Sequence, residues 1–347
     1  MTTRTATVRQ STMTIRLQSY PMMDEAEIAA LRKLLFARKP KRVLEWGSGG
    51  STLYWPRMFP AMDWVSVEHN PDYAWALKGK ITPNVTLLRL DYPEYHELTP
   101  EQVGMYDLII VDGRHRVRCL DIGRDLLAHG GAVVLHDAGR ERYAPCRKFY
   151  RTIVVLHPPK KARDPRGLWL LTEPRPTKVF GVGLSKTGTN SLNAALERLG
   201  YKALHYPSPR QVMELAQDYD ALTDTPVLAC LEALDQHYPG AVFVLTTRAE
   251  ESWLESCRSH WERVKPSDVG AWNRRNVYGI VEFDEATFRR VYHEHNRRIR
   301  DYFAGRPWKL VEMDIVAGDG YSKLCPALGL EALDEPFPHA SAAKELS

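Results

Sequence analysis

The sequence predicts an α/β protein with two successive domains, each a parallel-rich sheet between two layers of helices. Three observations favour this fold class. The chain has 347 residues, which is more than a single domain usually contains. A strand runs into a glycine-containing turn twice, at residues 42–52 and 178–199. Short apolar runs that end in acidic or basic residues follow each turn, as expected for strands of an open α/β sheet.

The composition is that of an ordinary globular protein, with 44% hydrophobic and 26% charged residues. A net charge of +4 does not suggest a nucleic-acid partner, and no apolar run has the length of a membrane span. The five cysteines are widely spaced and form no CxxC pair, which predicts reduced thiols, a cytoplasmic location and no zinc site. Residues 1–20 are expected to be a flexible tail. A homo-oligomer is left open.

Five strands are predicted in the amino-terminal domain. The first ends at Glu45, and the next four span residues 63–68, 85–91, 106–112 and 131–137. Acidic residues stand at the carboxyl ends of these strands, where open parallel sheets bind ligands. The sequence Pro-Arg-Pro at 174–176 predicts a short, stiff linker. We therefore expect domains at residues 21–174 and 175–347.

The first glycine turn favours a nucleoside over a phosphate group. Glu45 ends the strand before the turn, and no lysine or arginine enters the turn, so a phosphate would meet a like charge. Glu68 ends the next strand about twenty residues on, where an acidic residue can accept hydrogen bonds from both hydroxyls of a ribose. The turn therefore predicts a cationic or neutral nucleoside as its ligand.

With these residues the amino-terminal domain resembles the class I methyltransferases that use S-adenosylmethionine (SAM). The resemblance implies the following cofactor-binding residues: Glu45, Gly47, Ser48, Gly49, Ser51 and Thr52 in the glycine loop, Glu68 at the ribose, Asp91 near the adenine, and Asp112. It also implies that residues 149–156 and 167–172 add an antiparallel pair to the sheet. A dehydrogenase is the main alternative, but its fingerprint requires glycine at position 52, where this chain has threonine.

Candidate residues for methyl transfer lie at two neighbouring strand ends. The methyl group of SAM is already electrophilic, so proximity and removal of the acceptor proton suffice, and His115 or His136 could be the base. Asp112 and Asp137 could instead hold Mg²⁺, which prefers carboxylate oxygens. The simpler alternative is that Asp112 only orients SAM and that His136 only caps a helix.

The second glycine turn, at residues 181–189, has the features of an anion site. A strand that passes through such a turn into a helix directs free backbone N–H groups and the positive helix end at one point. Lys186 lies within the turn, which predicts a phosphate-like ligand. A Walker A loop places its lysine after the last glycine, whereas Lys186 precedes Gly188. Hydrolysis of ATP or GTP is therefore disfavoured.

This turn resembles the 5′-phosphosulfate loop of sulfotransferases, which bind 3′-phosphoadenosine 5′-phosphosulfate (PAPS). Arg248, at the end of a predicted strand, and Ser256 eight residues later have the spacing with which that family holds the 3′-phosphate. Residues 320–329 and 335–339 resemble the end of one subgroup, so the resemblance extends over residues 177–339. It implies that the 5′-phosphate is held by Thr187, Gly188, Thr189, Asn190 and Ser191.

Lys186 is the expected catalytic residue of sulfo transfer, because its ammonium can stabilise charge on the oxygen that bridges phosphate and sulfate. The family uses a histidine or a glutamate as base, depending on the subgroup. His205 and Asp224 are equal candidates here, and each could instead be a loop cap. A long helix is predicted at residues 285–303, with its apolar side chains on one face.

Together these features predict a fused bifunctional enzyme, with a Rossmann-like methyltransferase sheet followed by a P-loop-like sulfotransferase sheet. It would transfer a methyl group from SAM and a sulfo group from PAPS to hydroxyls of a saccharide, a glycolipid or a small natural product. Two alternatives remain. One half could be a non-catalytic binding or scaffold module, or the carboxyl-terminal half could be a nucleotide kinase.

Overall fold

A computed structural model of the chain describes residues 17–159 and 166–339. It contains two separate sheets, one formed before and one after residues 175–178. The predicted tail at residues 1–20 lies mostly outside the described residues.

The first sheet has seven strands. These are β1 Arg42–Trp46, β2 Asp63–Glu68, β3 Val85–Arg89, β4 Tyr106–Val111, β5 Leu127–His136, β6 Tyr150–His157 and β7 Leu168–Pro174. The α-helices of this part are α1 Glu25–Arg38, α2 Gly50–Met58, α3 Pro71–Leu77, α4 Pro100–Val103 and α5 Arg116–Leu126. Two 3₁₀ helices span Glu94–His96 and Glu141–Lys148.

The strand order of the first sheet is β3-β2-β1-β4-β5-β7-β6. The neighbouring strands β3, β2, β1, β4 and β5 are parallel, and β7 is antiparallel to both β5 and β6. The predicted antiparallel pair at the end of a parallel sheet is thereby confirmed. The chain order reverses between β1 and β4, and such a switch point opens a crevice at the carboxyl ends of the strands.

The second sheet has five strands. These are β8 Val179–Gly181, β9 Ala203–His205, β10 Ala221–Thr223, β11 Val242–Thr246 and β12 Leu310–Met313. Its α-helices are α6 Thr189–Arg198, α7 Val212–Asp218, α8 Leu231–His237, α9 Glu250–Arg263, α10 Asp268–Tyr278, α11 Glu285–Phe303 and α12 Tyr321–Ala327. Two 3₁₀ helices span Thr225–Cys230 and Pro307–Lys309.

All strands of the second sheet are parallel, in the order β12-β11-β8-β10-β9. The central strand β8 leads directly into the second glycine turn. β10 and β11 flank β8, so their carboxyl ends lie on either side of this turn. The residues that follow these strands therefore meet around it.

Both faces of each sheet are covered, because alternate side chains of the central strands enter different apolar clusters. Leu44 of β1 packs in one cluster with helix α5, whereas Val43 packs in another with α1 and α2. In the second sheet, Phe180 packs with α9 and α11, and Val179 packs with α6 and α12. Each sheet is thus the middle layer of three, as the sequence predicts.

No helix within residues 17–159 and 166–339 is long and apolar enough to span a membrane. The five cysteines, all of which the structure describes, form no disulfide bonds with one another.

Candidate functional site

A cavity of about 1520 Å³ opens at the carboxyl ends of β1, β2, β4 and β5. We call it the amino-terminal cleft. Of the residues predicted to serve methyl transfer, it is lined by Gly47, Ser48, Gly49, Ser51, Glu68, Asp112, His115, His136 and Asp137. The switch-point crevice therefore collects most of the residues that the sequence analysis assigned to this half.

Gly47 begins the turn that shapes the cleft. Its φ of +100° lies in the left-handed region that favours glycine, and a Cβ there would stand 2.5 Å from the Cα of Gly113. The Gly47 amide donates a hydrogen bond to the carbonyl of Val67, 3.0 Å away. A side chain at this position would therefore push apart two strand ends that form the cleft floor.

Glu68 ends β2 and presents its carboxylate to the cleft. The described partners of the carboxylate, the amide of Asn70 at 2.7 Å and Nδ1 of His69 at 3.1 Å, both contact Oε1. A buried carboxylate in a polar cavity can accept hydrogen bonds from two neighbouring hydroxyls. This placement fits the ribose contact that the sequence analysis assigned to Glu68.

Glu45 has a different role from the one predicted. Its side chain is fully buried beneath the turn and does not line the cleft. The carboxylate accepts hydrogen bonds from Ser51, Thr52 and Ser66, and from the indole of Trp64. Burial raises the pKa of Glu45. Direct cofactor binding by Glu45 is thus not supported; the carboxylate organises the turn from below.

Two other predicted contacts also differ from the structure. The hydroxyl of Thr52 donates to Glu45 and accepts from the amide of Gly49, so it is used within the turn. Asp91 is exposed, forms an ion pair with Arg89, and lies outside the cleft lining. Tyr95 lines the cleft instead, with its ring edge-on to that of His69.

His136 is enclosed by acidic groups. Its Nδ1 lies 2.7 Å from Asp112, and its Nε2 lies 3.6 Å from Glu27, a fully buried residue of α1. Burial alone would lower the pKa of His136, but the contacts with Asp112 and Glu27 raise it to about 10. At neutral pH the imidazole is protonated and cannot accept a proton. His136 is therefore unsuited to be the base, whereas His115 is exposed and lines the cleft.

Arg116 lies where the predicted metal would be. Its guanidinium contacts Asp112 at 2.9 Å and Asp137 at 3.5 Å, and it also donates to the backbone carbonyl of His136. Among the described residues, no group of three or more His, Cys, Asp or Glu side chains could hold a metal ion. A protein cation already neutralises both carboxylates, so the residues present do not fit Mg²⁺.

The second glycine turn, residues 182–188, is called here the phosphate loop. Lys186 and Gly188 both have positive φ, +74° and +104°, so the loop turns sharply before α6 begins at Thr189. No side chain caps α6. The first N–H groups of this helix have no partner in the helix, and they point toward the loop with the positive end of the helix dipole.

Most hydroxyls of the phosphate loop and of the first turn of α6 point inward. Thr187 donates to the carbonyl of Leu184 and contacts Thr246 at 2.6 Å, and Thr189 donates to Asp224. Ser191 is buried as well, whereas Asn190 is exposed. The loop therefore offers an anion backbone N–H groups and the Lys186 ammonium, and fewer hydroxyls than the sequence suggests.

Arg248 lies against the phosphate loop. Its Nη1 donates to the Lys186 carbonyl at 3.3 Å, and its Nε donates to Ser252 at 2.9 Å. Burial, helped by the charges of Arg263 and Arg248, lowers the pKa of the Lys186 ammonium. Ser252, which the sequence analysis missed, follows Arg248 by four residues. Ser256 lies one turn further along the same face of α9.

The candidates His205 and Asp224 form a pair. The Nε2 of His205 lies 2.9 Å from Asp224, whose carboxylate also accepts from Ser185 at 2.7 Å and from the amide of Thr225 at 2.6 Å. Burial would raise the pKa of Asp224, but the contact with His205 and these hydrogen bonds lower it. Asp224 is thus an ionised, buried partner, and His205, 24% exposed, is the more accessible member of the pair.

Residues around the phosphate loop also have strained backbone conformations. Asp224 has φ +85° and ψ 174°, a conformation found almost only in glycine. Tyr206, next to His205, has φ +52°. With Lys186, three non-glycine residues with positive φ therefore follow the strand ends around the phosphate loop. Such strain persists where the surrounding structure fixes it, as at sites of chemistry.

The carboxyl-terminal region matches a known protein family. Residues 178–211 and 207–346 match the family model of the sulfotransferase domain. The chain carries a sulfotransferase domain in its carboxyl-terminal region. Ava biosynthesis cluster protein M of Aspergillus versicolor is 29% identical over 160 residues, which is 38% of this chain and 59% of that protein. The match thus spans less than two thirds of this relative.

The amino-terminal part matches solved structures of methyltransferases. A methyltransferase-like protein of Silicibacter pomeroyi shares 19% identity, with 45% of this chain and 91% of that chain covered and a TM-score of 0.31. The N-methyltransferase NodS of Bradyrhizobium japonicum shares 16% identity, with 43% and 95% covered and a TM-score of 0.32.

The surroundings of His136 predict a specific dependence on pH. Its pKa is raised from 6.5 to about 10, so its stabilising effect is complete below pH 6.5 and is lost as the pH rises toward 10. We expect the difference in free energy of unfolding between the native protein and His136→Gln to shrink over this range, in urea titrations at several pH values. A constant difference, or an NMR titration midpoint of His136 near 6.5, would contradict this account.

Proposed function

We propose that the chain is a bifunctional transferase. Residues 21–174 would transfer a methyl group from SAM, and residues 175–347 a sulfo group from PAPS, to hydroxyls of a saccharide, a glycolipid or a small natural product. The observation that carries the proposal is the contrast between the two glycine turns. The phosphate loop holds Lys186 beside Arg248, whereas the turn at Gly47 faces the carboxylate of Glu68.

The phosphate loop is suited to a nucleotide with anionic groups at both its 5′ and its 3′ position. The open end of α6 and the Lys186 ammonium would hold the 5′ end of PAPS. Arg248 and Ser256 would hold the 3′-phosphate, and the hydrogen bond to Ser252 would orient the Arg248 guanidinium. PAPS supplies an activated sulfo group. Lys186 would stabilise the negative charge that develops as this group leaves, and such fixed charges are often the largest contribution to catalysis.

His205 would remove the proton of the acceptor hydroxyl. Its Nε2 faces Asp224 at 2.9 Å, and no hydrogen bond from a described residue is found at Nδ1. The ionised carboxylate of Asp224 would hold the ring with its proton on Nε2, which leaves the lone pair of Nδ1 to accept the proton. Asp224 would then stabilise the imidazolium that forms.

The amino-terminal cleft is suited to a nucleoside without phosphates. Glu68 would accept the ribose hydroxyls, and the glycine turn would lie against the rest of the cofactor. SAM supplies an electrophilic methyl group. His115, which lines the cleft, would take the acceptor proton, while the buried pair of Arg116 and His136 would fix the strand ends beside it.

The two activities should be separable by single substitutions. We expect Lys186→Ala to reduce sulfo transfer roughly 100-fold or more, because one such contact contributes about 10²–10³ in rate, and to leave methyl transfer unchanged. Glu68→Ala should impair only methyl transfer. Extracts incubated with the protein and radiolabelled PAPS or methyl-labelled SAM would report each activity. Lys33→Ala, an exposed lysine of α1, is the control. Undiminished sulfo transfer in Lys186→Ala would refute the assignment.

The base can be tested separately from donor binding. We expect His205→Asn to slow sulfo transfer by about 10²–10⁴ while the affinity for adenosine 3′,5′-bisphosphate, measured by calorimetry, stays the same. His293→Asn, which replaces an exposed histidine of α11, should change neither quantity. If His205→Asn keeps its rate, or loses nucleotide affinity in proportion, the histidine is not the base.

A further inference from the structure

Three arginines that have no acidic partner among the described residues line the amino-terminal cleft. Arg114 precedes α5, Arg118 lies in its first turn, and Arg142 lies in the 3₁₀ helix Glu141–Lys148. All three side chains are exposed. Within residues 17–159 and 166–339 no carboxylate forms an ion pair with any of them, and Arg142 donates instead to the hydroxyl of Tyr143 at 2.9 Å.

The other charges of this cleft already have partners. Arg116 lies between Asp112 and Asp137, and Arg140 contacts Asp137 at 2.9 Å. Asp121 forms an ion pair with Arg124. Glu68 lies at the end of β2, where the ribose is proposed to bind. The charged side chains without an ion-pair partner on the α5 side of the cleft are therefore all positive.

The size of the cleft leaves room for a second ligand. Sites for one small ligand typically measure about 300–1,000 Å³, whereas this cavity measures about 1520 Å³. A guanidinium group presents a planar set of donors that matches the oxygens of sulfate, phosphate or carboxylate. Like charges that converge on one cavity repel one another, so an anionic ligand there would be favoured by all three.

We propose that the acceptor of methyl transfer carries an anionic group, which Arg114, Arg118 and Arg142 bind. This inference rests on the proposed function. A sulfate ester is the oxyanion that the carboxyl-terminal domain of the same chain would make. Sulfo transfer would then precede methyl transfer, and the sulfated product would be the substrate of the amino-terminal cleft.

The experiment uses the full chain saturated with S-adenosylhomocysteine and adenosine 3′,5′-bisphosphate, which fill the two proposed nucleotide sites. Calorimetric titrations then compare 4-nitrophenyl sulfate, 4-nitrobenzoate and the neutral 4-nitroanisole. We expect the sulfate ester to bind roughly 10- to 100-fold more tightly than the neutral compound, as expected for hydrogen bonds between charged groups. Its affinity should fall as sodium chloride is added.

The arginines are tested by the double variant Arg118→Gln/Arg142→Gln. It should lose this preference for the anion and keep its affinity for S-adenosylhomocysteine, which also shows that it is folded. Arg297→Gln, an exposed arginine of α11 outside the cleft, is the matched control and should behave like the native protein.

The outcomes separate the two proposals. Equal binding of the charged and neutral compounds, or an unchanged preference in the double variant, overturns this inference while the proposed function stands. Tighter binding of 4-nitrobenzoate than of the sulfate ester supports an anionic acceptor and overturns the order of the two transfers. Failure of S-adenosylhomocysteine to bind the native chain refutes the proposed function of this half.

Discussion

The structure depends on one constraint that operates twice: a sharp turn at the carboxyl end of a central parallel strand must meet the neighbouring strand ends. At the first turn, Gly47 leaves no room for a side chain against Gly113. At the second, a Cβ on Gly183 would collide with the hydroxyl of Thr246. Both turns therefore lie close to the residues that end the adjacent strands. The chemistry of those residues determines which ligands each turn can bind.

The groups beneath the turns give the two sites different chemistry. Glu45 accepts four hydrogen bonds beneath the first turn and lies outside the cleft, whereas Glu68 at the end of β2 lines it. The second turn contains no carboxylate, and its lysine lies near two arginines. Asp224 lies to one side of this turn, and its carboxylate contacts His205. The fold is similar at both turns, but the ligands favoured by charge differ.

Local patterns predicted the parallel strands of the first sheet and the helix Glu285–Phe303, because short segments show their burial and periodicity, whereas the antiparallel pair was implied by the resemblance to methyltransferases. The residues of the two sites were harder to predict from the sequence, because the sites depend on contacts between residues that are distant in the chain. Nothing near His136 in the sequence shows that Glu27 of α1 lies beside it. Arg116 and Ser252 could have been predicted, since each lies in the first turn of a helix, four residues after its partner, Asp112 or Arg248, in the preceding turn. Cofactor binding was predicted for Glu45 because an acidic residue at the end of a strand can face either the ligand or the interior of the protein, and the sequence does not distinguish the two.

The most direct test of two distinct nucleotide sites is a calorimetric titration of the full chain with S-adenosylhomocysteine, before and after saturation with adenosine 3′,5′-bisphosphate. The account predicts one equivalent of each ligand, with the affinity for the first unaffected by the second. Competition between the two ligands for a single site, or binding of only one of them, would contradict it.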